Sequence, residues 1–530
     1  ERNNEIKISK NDKKVLTNIK IYCKIGHRKR EFEMKFTVIT SLCFSILAVL
    51  LFWGQKLGIN VVIFVLPFVC VTIYLLQKRR KVKNPKGYFL VIPIVLLAIT
   101  YGIYQNRLFQ ITNLLAMVLL YNTMLIWTMS QKYQLEFILR RIGNLVLKPF
   151  QFIKKSCKGI GLVFRTKKEK QVQTEKQLEE GKKLRLIKQI FIGIGISIPV
   201  IAIVVVLLCS ADYAFFETIK GVVKFFMQYM GNILDAKFGF SIFMRFLVII
   251  ILTIYLVGFF INLFSRKPWK RKTEKGISIC IETTILNTIL TMLNLIYIVF
   301  CKMQISSLLQ AAFSQEGFYY ANYAREGFFQ LMAVSIINFT MILLTTKNTK
   351  QSSKIQIYYR KAMNFILAVS TMVILLSAFV RMNLYGEAYG YTVLRILVYF
   401  VLITEAILMI PTILYLFCEK FSPWKSYFII ITVMYVVMNF SNIPQIIARK
   451  NIERYLEGGH QKIDVVYLKK TKTDGLEDVL NLYQNTSDPF IKHQLKSYFN
   501  DLESELEQED HFLEWNYSKQ RARELLKSVE

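Results

Sequence analysis

The chain has 530 residues, of which 53% are hydrophobic and 14% aromatic, and it carries a formal charge of +33. A soluble protein of this size would spread its apolar residues evenly; here they gather into nearly charge-free runs of roughly 17 to 25 residues, the length a helix needs to cross a bilayer. The basic excess falls in alternate connecting segments, which argues against nucleic acid as the partner and for the lipid bilayer.

In chain order, residues 1–35 hold eleven Lys or Arg against five acids and read as a basic cytoplasmic arm. The run at 36–53 lacks a small-residue cleavage site and is expected to stay as a span. With the runs at 59–76, 88–104 and 109–129 it makes a four-helix membrane segment over 36–129. Residues 130–189 follow as a basic insertion with sixteen basic and five acidic residues. In its first part, 130–158, Leu135, Ile138, Leu139, Ile142, Leu145 and Val146 recur at helical spacing opposite Arg140, Arg141 and Lys148, the pattern of a helix lying on anionic headgroups. Its second part has the composition of a solvated linker and could meet a protein partner on the cytoplasmic side.

Seven more runs, at 190–209, 243–264, 277–301, 328–346, 362–380, 391–417 and 427–443, form a second membrane region over 190–443. The expected fold class is therefore all-α: a polytopic integral membrane protein with about 11 transmembrane helices. The segment 210–242 has polar residues every third or fourth position and is expected to lie along the outer interface. After Pro444 the charge turns acidic, with thirteen basic and sixteen acidic residues over 444–530. Helix starts at Asp474 and Asp488-Pro489 predict a small helical C-terminal domain outside the membrane. Lys and Arg number 11, 6, 16, 6, 5 and 2 in one set of connecting segments and 1, 1, 3, 2 and 1 in the facing set. The basic set belongs in the cytoplasm, which puts the amino terminus inside and the carboxyl terminus outside.

Polar residues within or beside the runs are the candidates for function, because charge in hydrocarbon is costly unless used. Glu405 lies near the middle of the 391–417 run and is expected to face protein, with Arg395 too far along the axis to pair with it. Thr284, Asn287, Thr291 and Asn294 share a helix face and are expected to act as interhelical hydrogen-bond glue. Between Glu316 and Phe329, Tyr319, Tyr323 and Glu326 share a face, with Arg325 beside them. The eight cysteines and four histidines are placed so that neither a disulfide framework, a metal centre nor a cofactor site is expected. The sequence contains no Gly-x-Ser-x-Gly, no His-Glu-x-x-His and no P-loop, so no catalytic residue is assigned.

Four segments carry a family resemblance: Ser210–Phe215, Tyr320–Leu331, Arg381–Arg395 and Ile446–Tyr455. Together they resemble a bacterial family of multi-pass membrane proteins, domain of unknown function 4173, related to the family numbered 4153. The resemblance implies a bacterial cytoplasmic membrane and no activity. One departure is Thr473–Asp478, where similar proteins have an Asp-Ala-Val-Pro-like run. With the topology above, all four segments fall at the outer boundary, where Arg325, Glu326, Arg381 and Arg395 are expected to form an anion-binding site walled by Tyr319, Tyr323, Tyr385 and Tyr389. Asp212, Glu387, Arg449 and Arg454 lie in the same layer. The function read from this arrangement is a non-enzymatic envelope module that binds or senses an external ligand. The alternatives are a transporter of a small solute or lipid, and a transferase acting on a lipid-linked substrate through Asp212, Glu326 and Glu387.

Overall fold

A computed structural model of the protein describes residues 33–105, 107–129, 217–218, 220–221, 237–265, 282–313, 328–347, 353–418, 421, 423–457, 463–507 and 512–527. The basic arm, the insertion at 130–189, the run at 190–209 and most of the two segments at 210–236 and 314–327 lie outside these residues. The helices in order are α1 (Glu33–Phe52), α2 (Ile59–Lys78), α3 (Val91–Ile103), α4 (Arg107–Met129), α5 (Lys237–Ser265), α6 (Thr283–Phe313), α7 (Phe328–Lys347), α8 (Lys354–Tyr389), α9 (Val393–Phe417), α10 (Pro423–Phe440), α11 (Ile443–Glu457), α12 (Val465–Leu468), α13 (Leu476–Asn485), α14 (Pro489–Glu507) and α15 (Tyr517–Lys527). The protein is all-α and polytopic.

Among the described residues, eight helices are long and apolar enough to cross a membrane, or nine if α10 and α11, bent by 60°, count as one span. The expected count of about 11 is not reached among the described residues. The run at 328–346 appears as a shorter apolar helix, Gln330–Thr346, and the run at 190–209 is outside the described residues.

The chain divides into two compact units, Glu1–Trp53 with Leu145–Ser265, and Gly54–Asn144 with Arg266–Glu530. In the first, the buried hydroxyls of Ser41 and Ser45 donate to the carbonyls four residues back at 2.8 Å, so α1 spends its polar side chains on its own backbone. Arg245 of α5 sits over the Trp53 ring at 6.0 Å.

In the second unit the longest helix pair is zipped by polar side chains at a seven-residue step. Asn287 Nδ2 donates to Gln356 O at 3.4 Å, Asn294 Nδ2 to Met363 O at 2.9 Å and Cys301 Sγ to Ser370 O at 3.7 Å, while Ser377 Oγ donates to Gln304 Oε1 at 2.7 Å. Partner numbers rise together, so α6 and α8 run parallel, and a step of seven is the repeat of a left-handed crossing. The expected glue is there for Asn287, Thr291 and Asn294, facing α8, whereas Thr284 is exposed. Helix α7 runs against both: Asn338 Nδ2 donates to Thr371 Oγ1 at 3.0 Å and Thr345 Oγ1 to Asn364 Oδ1 at 3.0 Å, so here the partner numbers fall as the others rise.

Helix α10 breaks before Pro444 because proline has no N–H for the carbonyl of Phe440. Asn442 turns the chain with φ of 46°, and the freed Phe440 carbonyl accepts from the Tyr104 hydroxyl at 3.0 Å. Beyond the break, α11 to α15 close around their own core of Leu468, Leu476, Val479, Leu495 and Phe499. Asp488 caps α14 as expected, accepting from Phe490 N at 2.8 Å. Asp474 does not start a helix. Its carboxylate accepts from Gln105 N at 3.0 Å, and α13 begins at Leu476 with Gly475 as an N-cap that offers no side chain.

This helical region sits on one end of the spans of its unit. Lys56 N donates to Glu514 Oε1 at 2.8 Å, Ile59 N to Trp515 O at 3.1 Å and Val393 N to the Tyr467 hydroxyl at 3.0 Å. The loops it touches are thus 54–60, 104–105 and 390–392, the connections with few basic residues. The basic connection at 78–86 is at the far end, where Lys83 N donates to Thr128 O at 2.8 Å.

Candidate functional site

The carboxyl end of α8 gathers several of the residues singled out in the sequence. A helix leaves its last carbonyls without N–H partners, and cationic side chains suit that end. Arg395, at the start of α9, donates from Nη1 to Tyr389 O at 3.0 Å and to Gly390 O. Arg454, from α11, donates to Ala388 O at 3.0 Å. The Arg395 guanidinium also lies over the Tyr385 ring at 4.1 Å, and the Tyr385 and Tyr389 rings are 5.2 Å apart. Asn451 binds the next peptide from both sides, accepting from Tyr391 N at 2.7 Å and donating to Tyr391 O at 2.8 Å. Two arginines and an asparagine thereby hold the α8–α9 corner.

Arg381 is not at a loop, as the sequence suggested. Helix α8 continues to Tyr389, leaving a three-residue connection, and Arg381 is buried two turns before that end, donating to Gln304 Oε1 at 2.9 Å. The apolar run stopped at Val380, but the helix goes on, with Arg381, Met382 and Gly386 still buried. Glu387 is exposed and accepts from Asn383 Nδ2 at 2.8 Å. Arg449 is exposed and meets Asp478 at 3.5 Å. Tyr319, Tyr323, Arg325, Glu326 and Asp212 lie outside the described residues. The structure therefore joins Tyr385, Tyr389, Arg395 and Arg454 in one place, with Arg381 a turn below Tyr385.

A second constellation surrounds Asp474. Besides the Gln105 amide, the Gln105 side chain accepts from Thr473 Oγ1 at 2.8 Å, and Ser518 Oγ donates to Thr473 Oγ1 at 2.8 Å. Next to this node opens a cleft of about 620 Å³ lined by Tyr104, Asn442, Asp474, Glu477, Tyr517 and Arg521 among others. A smaller one of about 220 Å³ shares Asp474 and is lined by Gln105, Tyr467 and Lys470. In the larger cleft Glu477 and Arg521 approach to 3.8 Å, while the buried Asn442 Oδ1 meets no donor among the described residues. Acids, an arginine and the Asn442, Gln445 and Ser518 side chains make a polar lining that suits a ligand with both donors and acceptors. The sequence pointed to Asp474 only as a helix cap; Gln105, Asn442 and Ser518 carried no signal, because each acquires its role from a residue more than thirty positions away.

Glu405 is 8% exposed, and its Oε2 is hydrogen-bonded to Ser335 Oγ of α7, so it faces protein. No cluster of three metal-ligating side chains occurs among the described residues.

A family model matches residues 91–482. The chain belongs to the family described as Domain of unknown function (DUF4153). This replaces the resemblance to family 4173 by its relative, the only one of the two that matches. No curated protein and no solved structure matches the chain. The DUF4153 region runs from α3 into α13, so it contains the α8–α9 corner, Glu405 and Asp474 and stops before α15, which supplies Tyr517 and Arg521 to the cleft.

Proposed function

We propose that this DUF4153 protein is a non-enzymatic membrane module that binds a small polar ligand on the extracytoplasmic face, in the cleft between the span ends and the carboxyl-terminal helices. The observation that carries this reading is a cleft of about 620 Å³ whose lining offers Asn442, Asp474, Glu477 and Arg521 together. Asn442 sits at the break between α10 and α11, so a ligand held there would contact both the end of a span and the helix that leads out of it. An exclusive anion site built on the arginines is a weaker reading, since Arg395 and Arg454 already donate to peptide carbonyls. Placement outside the cell follows from the charge rule, because the cleft lies at the ends joined by the least basic connections.

Native mass spectrometry of the full chain from its membrane tests this. A bound small molecule is expected on the wild type and is expected to be lost from the Glu477→Gln, Arg521→Ala double variant, whose two positions are half exposed and cost little to change. Retention of lipid alone, or equal retention of the molecule by both proteins, contradicts the reading. Solute flux in proteoliposomes that depends on Glu405 would favour a transporter instead.

A further inference from the structure

Glu405 carries a buried carboxyl within α9, and hydrogen counting around it limits how it can be bonded. Ser335 Oγ lies 2.7 Å from Met332 O and is also hydrogen-bonded to Glu405 Oε2. A serine hydroxyl has one hydrogen, and a carbonyl oxygen can only accept. If that hydrogen goes to Met332 O, the bond to Glu405 needs a hydrogen from the carboxyl itself. The surroundings favour the same assignment. Ser335 is fully buried, and the side chains about Glu405 belong to two apolar clusters, with Leu402 and Ala406 in one and Met409 in the other.

No Lys, Arg or His forms an ion pair with Glu405 among the described residues. On the elements packed against it, α7 has no charged residue before Lys347, and α8 has none between Lys361 and Arg381. On α9 itself the nearest charged residue is Arg395, ten positions away, with Tyr399 and Tyr415 the tyrosines of that helix; α6 carries Lys302 and Tyr297, α10 carries Lys425, Tyr427 and Tyr435, and α11 carries Arg449, Lys450, Glu453 and Arg454 beyond the end of the span. An ionised carboxylate without a counter-charge in hydrocarbon is less favourable than its neutral form.

We propose that Glu405 is a proton-binding site in the membrane core: the carboxyl holds its proton on Oε2 and donates to Ser335 Oγ, which donates onward to Met332 O. The site is independent of the extracytoplasmic cleft, and its chemical ligand is the proton.

Infrared difference spectroscopy of the full chain in lipid nanodiscs, wild type minus Glu405→Gln, tests the assignment at neutral pH. The expected result is the carbonyl stretch of a protonated carboxyl. Ser335→Ala is expected to move that carbonyl stretch to higher frequency, because the carboxyl loses its acceptor. If Glu405→Gln fails to fold, the wild type minus Ser335→Ala spectrum carries the same test, shifting one protonated carboxyl band or leaving that region flat. A flat region, or carboxylate stretches assigned to Glu405 at neutral pH, overturns the proposal; carboxylate stretches that require sodium would put a bound cation in the proton's place.

Discussion

Gly390 shows how one residue sets the α8–α9 corner. Its φ is +81°, a conformation in which glycine alone is unstrained, and an added Cβ would lie 2.7 Å from Asn451 Oδ1. Gly390→Ala is expected to destabilise the protein by about 1–3 kcal/mol, through backbone strain and displacement of the Asn451 clamp. Surfactant-induced unfolding would measure it, and a loss below ~0.5 kcal/mol would mean that the corner is not held as described. Asp478 gives a residue-scale pH effect. Burial pushes its carboxyl above the ordinary aspartate range, while Arg449 and Gln445 pull the other way. A raised value in the folded state means that the fold binds the proton more tightly than the unfolded chain. The contribution is then complete at pH below the ordinary aspartate value and lost as pH rises through the raised one. Asp478→Asn is expected to flatten this part of the profile and to leave neutral-pH stability equal or higher; a thermal melting series over about pH 4–8 reads it. Neither effect is visible in sequence, since both depend on what α11 and the α8–α9 corner bring alongside.

At the scale of elements, the α6–α8 pair was half legible. The polar face from Thr284 to Asn294 stood out by spacing and was expected to bind a neighbouring helix, but nothing in the sequence said which helix or in which direction. The seven-residue step of the bonds from Asn287, Asn294 and Cys301 supplies both. Asn294→Leu keeps the side-chain volume and removes the bond to Met363 O, so it is expected to weaken the pair by about 0.6–2 kcal/mol. The introduced pair Asn294→Cys, Met363→Cys, in a background without other cysteines, is expected to crosslink within one chain, and an antiparallel arrangement would prevent it. Helix ends were less legible than helix interiors. The reading stopped a helix at Val380 because hydropathy fell, whereas α8 runs nine residues further on aromatic and arginine side chains; it started one at Asp474, where the carboxylate instead answers a peptide N–H 369 positions away.

For the whole molecule, apolar run length was enough to identify a polytopic all-α protein, because the bilayer imposes that length on each span. Among the described residues it leaves the count open, since α10 and α11 form a broken pair and α7 carries a shorter apolar stretch. In the second unit the carboxyl-terminal helices lie against loops 54–60, 104–105 and 390–392, connections with few basic residues. That contact could not be read from composition: it is made by backbone amides of Lys56, Gln105 and Val393 meeting Glu514, Asp474 and Tyr467. The account turns on the ligand cleft facing outward. Tyr517 lines that cleft and is 57% exposed, so a single cysteine placed there, with the native cysteines replaced by serine, reports its side directly. In intact cells expressing the full chain, a membrane-impermeant maleimide is expected to label Tyr517→Cys as fully as it does after permeabilisation; labelling that appears only after permeabilisation would put the cleft in the cytoplasm and contradict the account.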